Sequence, residues 1–400
     1  MRAAGVIEGD SRRILIARGL RAFGDGYVAV ILPVHLAQLG YGAVAVGAIS
    51  TATLLGSAAL TLAIGGTAHR LMRRSALLAA SALMAATGLA FGVTESFWPL
   101  IVIAFVGTLN PTSGDVSVFL PLEHTVLAQS VPGAKRTAVF ARYSFVGSIV
   151  GACGALAAGA VDWLAPWLSA RTVTDTLFLL YGGLGLATFL IYRRLSPAVE
   201  AGDLPTAPLG PSRRRVYGLA ALFAVDSFGG GFVVNSLLAT WLFQRFQIDV
   251  ATTGAIFFVT GLCAAFSFFV AVPLSERFGA VNTMVFTHLP ANAFLALAAF
   301  APTIEAAFAL LICRSLLSSM DVPVRSAYVM AVVTPPERPA AASVTAVPRS
   351  LASAVSPLLS GWLLAATPFG WPLVIGGALK AAYDLALLRQ FAKVRPSDHE

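Results

Sequence analysis

Residues 14–39 read ILIARGLRAFGDGYVAVILPVHLAQL. At ~1.5 Å per residue such a run spans the ~30 Å hydrocarbon layer of a bilayer. Yet Arg18, Arg21 and Asp25 lie inside it. A charge at mid-bilayer costs at least ~2.5 kcal/mol, so its presence calls for pairing, water or protonation. Residues 216–243, VYGLAALFAVDSFGGGFVVNSLLATWLF, repeat the pattern, with Asp226 inside.

Working outward, further apolar runs lie at 43–66, 76–94, 98–129, 138–161, 173–192, 250–273, 280–300, 303–333, 340–366 and 369–389. The sequence predicts an all-α membrane protein of twelve transmembrane helices. The fourth and tenth runs are long for a straight crossing and hold an internal Pro, which predicts a tilt or kink.

The composition agrees. Hydrophobic residues make up 57 % of the 400 and charged residues 12 %, too few to clothe a soluble surface of this size. The net charge of +8 is spread in short clusters between apolar runs, which argues against a nucleic-acid surface. No P-loop, GxSxG or HExxH motif is present, so no enzyme and no cofactor is expected. Of the 27 basic residues, eighteen fall on one side of the predicted topology and only Arg171 and Arg245 on the other. This places both termini in the cytoplasm, and the bacterial inner membrane is the expected location. The first run has no small-residue cleavage site and reads as a retained span.

The halves match. Phe23-Gly24-Asp25-Gly26-Tyr27-Val28 answers to Phe228-Gly229-Gly230-Gly231-Phe232-Val233, Asp115 to Asp321, and Arg142 to Arg349. These offsets stay between 205 and 207 residues, as duplication requires. We therefore expect two pseudo-symmetric six-helix bundles, 1–192 and 216–400. A Pro- and Arg-rich cytoplasmic linker, 193–215, joins them.

At residues 65–74, Gly-Gly-Thr-Ala-His-Arg-Leu-Met-Arg-Arg, and again at Glu276-Arg277-Phe278-Gly279, the chain resembles the loop motif of the major facilitator superfamily (MFS). Gly65, Arg70, Arg73 and Arg74 match in the first copy; His69 and Met72 replace its acid and second Gly. The resemblance implies a secondary transporter working by alternating access, with Arg70, Glu276 and Arg277 as gating residues. Helix five lacks a Gly-Pro pair similar to the antiport signature, and helix four lacks Arg-x-x-Gln-Gly.

Candidate site residues are the intramembrane polar groups. Asp25 and Asp226 lie ~16 and ~15 Å into their helices, with glycines beside them. They are candidates for proton or cation binding, or for structural salt bridges. Asp115, Asp321, Asn235 and Arg314 join them as proton- or substrate-binding candidates, Arg314 for an anionic substrate. Glu123–Arg142 and Asp321–Arg349 are expected cross-helix pairs, either gating or static. Arg325 stands i, i+4 from Asp321, and Arg21 within snorkelling reach of the interface. Lys380 and Asp384 read as a structural i, i+4 pair, His288 as a packing or kink residue. Cys153, Cys263 and Cys313 suggest metalloid coordination only weakly, since their depths differ.

The function expected is proton-coupled efflux of a small molecule. Metabolite uptake, arsenite-like efflux and a transporter-like sensor or partner subunit are the alternatives. The expected partners are the lipid bilayer, a small-molecule substrate and protons, with no nucleic acid, and the chain is expected to be a monomer.

Overall fold

The computed structural model describes residues 2–67, 72–112, 118–130, 133–200, 209–334 and 337–391. Its described residues are helices and their connections. The chain forms two compact units, Met1–Gly202 with Asn235–Phe258, and Asp203–Val234 with Val259–Glu400. We call them units 1 and 2.

Helices α1 (Arg2–Gln38), α2 (Ala43–Thr67), α3 (Arg73–Val93), α4 (Phe97–Val106), α5 (Phe119–Ser130), α6 (Gly133–Ala157), the short α7 (Ala160–Trp163) and α8 (Ala170–Tyr192) make up most of unit 1. They are followed by α9 (Arg213–Gly231), α10 (Asn235–Phe246), α11 (Val250–Phe278), α12 (Ala280–Ala298), α13 (Ile304–Ser318), α14 (Asp321–Ala331), α15 (Arg338–Ala366) and α16 (Trp371–Phe391). Counting α4 with α5, α9 with α10 and α13 with α14 as interrupted crossings, and leaving out the four-residue α7, the described helices give the twelve-helix arrangement. Within unit 1, α1 packs on α6 and α3 on α8; within unit 2, α9 packs on α15 and α12 on α16. The pairing of first with fifth and third with sixth crossing thus recurs, as the internal repeat requires.

Three predicted runs are interrupted in the structure, the fourth and tenth of them where a tilt or kink was expected. Run 98–129 is broken where Asn110-Pro111 removes a backbone donor. Run 303–333 breaks at Ser319-Met320, and Pro323 then sits in the first turn of α14, where its missing N–H is harmless. Run 216–243 breaks at 232–234, after Gly229-Gly230-Gly231, a break the sequence reading did not contain. Carbonyls freed at this last break need partners in lipid. Ser356 donates to Phe228 O at 2.6 Å and Ser360 to Phe232 O at 2.8 Å. At the other end, α1 begins at Arg2 instead of residue 14, lengthening the first span on its basic side.

Close approach of α1 and α6 depends on Gly26 and Gly154. A Cβ on Gly154 would strike the Phe23 carbonyl, and one on Gly26 the Gly151 carbonyl. Backbone cannot give way as a side chain can. Gly154→Ala should therefore cost about 1–3 kcal/mol, read as a lower unfolding temperature in detergent. Gly183→Ala, with nothing within 4 Å of its new Cβ, should leave that temperature unchanged or raise it.

Candidate functional site

In unit 1, α1 brings Asp25 against α8 and the segment after α4. Asn110 Nδ2 donates to Asp25 Oδ2 at 3.3 Å, and Tyr181 Oη lies 3.2 Å from Asp25 Oδ1. The same phenol lies 3.0 Å from the Thr108 carbonyl. A phenol carries one hydrogen, so it can donate to one of these two oxygens at a time. With Asp25 ionised, the hydrogen points to the carboxylate. With Asp25 protonated, its O–H donates to Tyr181 Oη, and the phenol hydrogen turns to Thr108 O. Each protonation state thus has a satisfied arrangement without movement of any helix. Arg21 and Arg18, on the same helix, are cations in electrostatic range.

Glu123, on α5, is fully buried. It pairs with Arg21 and accepts from Tyr143 Oη and Tyr192 Oη, both at 2.5 Å. The Arg21 guanidinium also stacks 4.0 Å from the Phe119 ring centre, and Arg18 lies 5.0 Å from that of Tyr143. A buried carboxylate with three donors is satisfied and fixed. The pair expected from sequence, Glu123–Arg142, is replaced by Glu123–Arg21, and Arg142 is exposed. The sequence spacing carried no information on which arginine faces α5.

Unit 2 holds a larger network. Asp226 on α9 receives Arg325 Nη1 at 2.8 Å on Oδ2 and Lys380 Nζ at 2.7 Å on Oδ1. Arg325 also reaches Asp321, one turn earlier on α14, at 3.4 Å. Arg349 instead donates to Ser227 Oγ at 3.3 Å, so Asp321–Arg349 gives way to Asp321–Arg325 at ion-pair distance. Lys380 does not pair with Asp384, its i+4 neighbour. Its stem lies along the side-chain-free face of Gly229 and Gly230, where added Cβ atoms would meet Lys380 Cγ at 3.1 Å and Cε at 3.6 Å. The glycines that end α9 thus make the groove through which Lys380 reaches Asp226. Asp384 pairs with His288 on α12 at 2.9 Å and accepts from Asn292 at 2.9 Å.

Among the remaining candidates, Arg314 on α13 and Asn235 at the start of α10 are half-buried. Glu276 and Arg277 are exposed at the end of α11, with Arg277 5.3 Å from the Phe278 ring centre. Asp115 and Arg70 lie outside the described residues. Cys153 and Cys313 are exposed and Cys263 half-buried. Among the described residues no three His, Cys, Asp or Glu side chains are placed to hold a metal ion.

The Major Facilitator Superfamily model matches residues 14–225 and again 219–399. The chain belongs to the Major Facilitator Superfamily. A 25 % identical relative, an uncharacterized membrane protein of Saccharomyces cerevisiae, aligns over 94 % of this chain and 92 % of its own length. Solved structures of the superfamily share the fold. A bacterial homolog of the human lysosomal transporter Spinster, inward-facing and unoccupied, aligns at TM-score 0.74 and 16 % identity over 98 % of this chain and 99 % of its own. The nucleoside transporter NupG, as a point mutant, aligns at TM-score 0.74 and 12 % identity over 95 % and 99 %.

In this superfamily chain the loop motif region has an anchor that the motif itself did not reveal. Glu200 accepts the backbone N–H groups of Arg73 and Arg74 at 2.6 and 2.8 Å. These are orphan donors at the α3 N-terminus, where an anion is favoured. Asp10 accepts from Ser196 N at 3.2 Å and from Ser196 Oγ at 2.5 Å. In unit 2, Glu337 does similar work for the far end of the linker. It accepts from Gly210 N at 2.5 Å, Ser212 Oγ at 2.7 Å and Thr334 Oγ1 at 2.7 Å. Those donors hold the Glu337 carboxyl down, to about 2. A carboxylate depressed on folding stabilises above its ordinary pKa, and the gain is lost as pH falls. The linker end should therefore loosen between about pH 4.5 and 2. Limited proteolysis at the linker should show this acid-dependent exposure, and Glu337→Gln should show it already at neutral pH.

Proposed function

We propose that this chain is a proton-coupled secondary transporter of a small organic molecule, in which Asp25 takes up and releases the coupling proton. The observation that carries this reading is the Asp25–Tyr181–Thr108 arrangement: one phenol hydrogen and two acceptors, satisfied with Asp25 either charged or neutral. Glu123 offers no such choice, being held by three donors, and Asp226 is held by two cations. Arg314 and Arg349 are half-buried, and neither has a carboxylate within ion-pair distance among the described residues. They favour a substrate with an anionic group, since a cation inside the membrane is stabilised by a counter-charge.

The experiment uses proteoliposomes loaded with a pH-sensitive dye. Candidate organic acids and neutral compounds are added outside, with and without a protonophore. Expected is a compound whose entry or exit moves protons, is driven by an imposed pH gradient and is abolished by the protonophore. The sign of the dye change assigns export or uptake. If every compound that moves does so independently of the gradient, the coupling reading fails and a facilitative carrier replaces it.

A further inference from the structure

We infer that unit 2 contains a second proton-binding site, formed by His288 on α12 with Asp384 on α16 and Asp226 on α9. In it, His288 competes with Lys380 for a single carboxylate oxygen.

Four distances define the site. His288 Nδ1 lies 2.9 and 3.1 Å from the two Asp384 oxygens. His288 Nε2 lies 3.9 Å from Asp226 Oδ1. Lys380 Nζ lies 2.7 Å from that same Oδ1. All three carboxylate and imidazole groups are buried. Asn292 Nδ2 donates to Asp384 Oδ2 at 2.9 Å and so orients the carboxylate that orients the ring.

The chemistry follows from the two nitrogens. An imidazole flanked by a carboxylate at hydrogen-bond distance carries its hydrogen on that nitrogen. Nδ1–H therefore points to Asp384, and the exchangeable proton belongs to Nε2. When Nε2 is bare, its lone pair faces Asp226, and Lys380 holds Oδ1. When Nε2 takes a proton, the imidazolium stands between two carboxylates and attracts Oδ1 as Lys380 does. One oxygen then has two cationic claimants. Binding a proton at His288 thus weakens the hold of Lys380 on Asp226, and releasing it restores that hold. No bond other than N–H is made or broken.

Among the described residues the groups facing His288 are few. They are Asp384, Lys380 and Tyr383 from α16, Asp226 from α9, and Asn292 on its own helix; the Tyr383 ring centre is 6.1 Å away. From α14, Arg325 and Asp321 act through Asp226. No described titratable group of α13 lies within ion-pair distance of the ring. Asp226 is the junction of α9, α14 and α16. A proton on α12 therefore changes the charge balance where three other helices meet. A coupling role for this proton rests on the transporter reading above; the binding site does not.

The test is nitrogen NMR of the full chain, labelled in histidine and solubilised in detergent, titrated with acid and base. Wild type is compared with His288→Gln, Asp384→Asn and Lys380→Gln. His35 and His124 report on folding in every sample. Expected is one imidazole, absent in His288→Gln, with Nδ1 protonated throughout and Nε2 titrating. Lys380→Gln should raise its proton affinity about tenfold or more, a shift of one pH unit, because the rival cation is gone. Asp384→Asn should lower it. If Asp384→Asn fails to fold, Lys380→Gln alone decides. An imidazole that stays in one protonation state across the titration, or one indifferent to loss of Lys380, overturns the inference. Dye-reported proton flux in the same variants separates the two claims. If no wild-type flux is found while His288 titrates as described, the transport reading falls and the site stands.

Discussion

Asp226→Ala destabilises the folded protein by about 3–5 kcal/mol, the usual penalty for removing one partner of a buried ion pair. The loss falls on two cations at once. Arg325 retains Asp321 at 3.4 Å, but Lys380 loses its ion-pair partner inside the apolar groove of α9. Desolvation of that ammonium then has no Coulomb term to offset it. Asp226→Asn is milder, since the amide oxygen still accepts one hydrogen bond. The double variant Asp226→Asn/Lys380→Met should recover much of the loss, because removing both charges of a buried pair is often nearly neutral. Thermal unfolding in detergent reads all three. If Asp226→Ala unfolds at the wild-type temperature, Asp226 does not hold α9 to α14 and α16.

The second large effect is on transport. Asp25→Asn should fold as the wild type does, because Asn110 can donate to the new amide oxygen while the new amide N–H donates to Tyr181 Oη, whose hydrogen turns to Thr108 O. It cannot take up and release a proton. Flux driven by a pH gradient should fall to the protein-free background. Exchange of labelled for unlabelled compound across the same membrane needs no net proton movement and should persist. Tyr181→Phe removes the hydrogen that chooses between Asp25 and Thr108. It should keep transport but displace its pH optimum, since one of the two satisfied arrangements is lost. Asp25→Asn with undiminished gradient-driven flux would place the coupling proton elsewhere, with His288 the next candidate.

Much of the fold was legible because lipid leaves few choices. Apolar runs of spanning length, basic clusters on one side and the constant offset between Asp115 and Asp321 sufficed for twelve helices in two halves. The break after Gly231 was not legible. Glycines in a membrane helix read equally well as close packing, and only the structure shows Lys380 lying in the space they leave. Intramembrane charges were legible as a set, since each is expensive and needs a reason. Their partners were not. Lys380 and Asp384 share a helix face on paper, yet they point to Asp226 and His288, because cross-helix contacts depend on rotation that i, i+4 spacing does not contain. Tyr143, Tyr181 and Tyr192 gave no signal, for a tyrosine in an apolar run is ordinary. Glu200 and Glu337 were hidden for the opposite reason: they lie beside or within polar connections, where carboxylates are commonplace.

The measurement closest to the central claim is infrared difference spectroscopy of the protein between mildly acidic and mildly alkaline buffer. A protonated carboxyl absorbs apart from a carboxylate, so Asp25 reports its own state. The account predicts a carboxyl band that appears on acidification, is missing in Asp25→Asn and moves in Tyr181→Phe. A spectrum in which Asp25→Asn matches the wild type at both ends of the titration would contradict it.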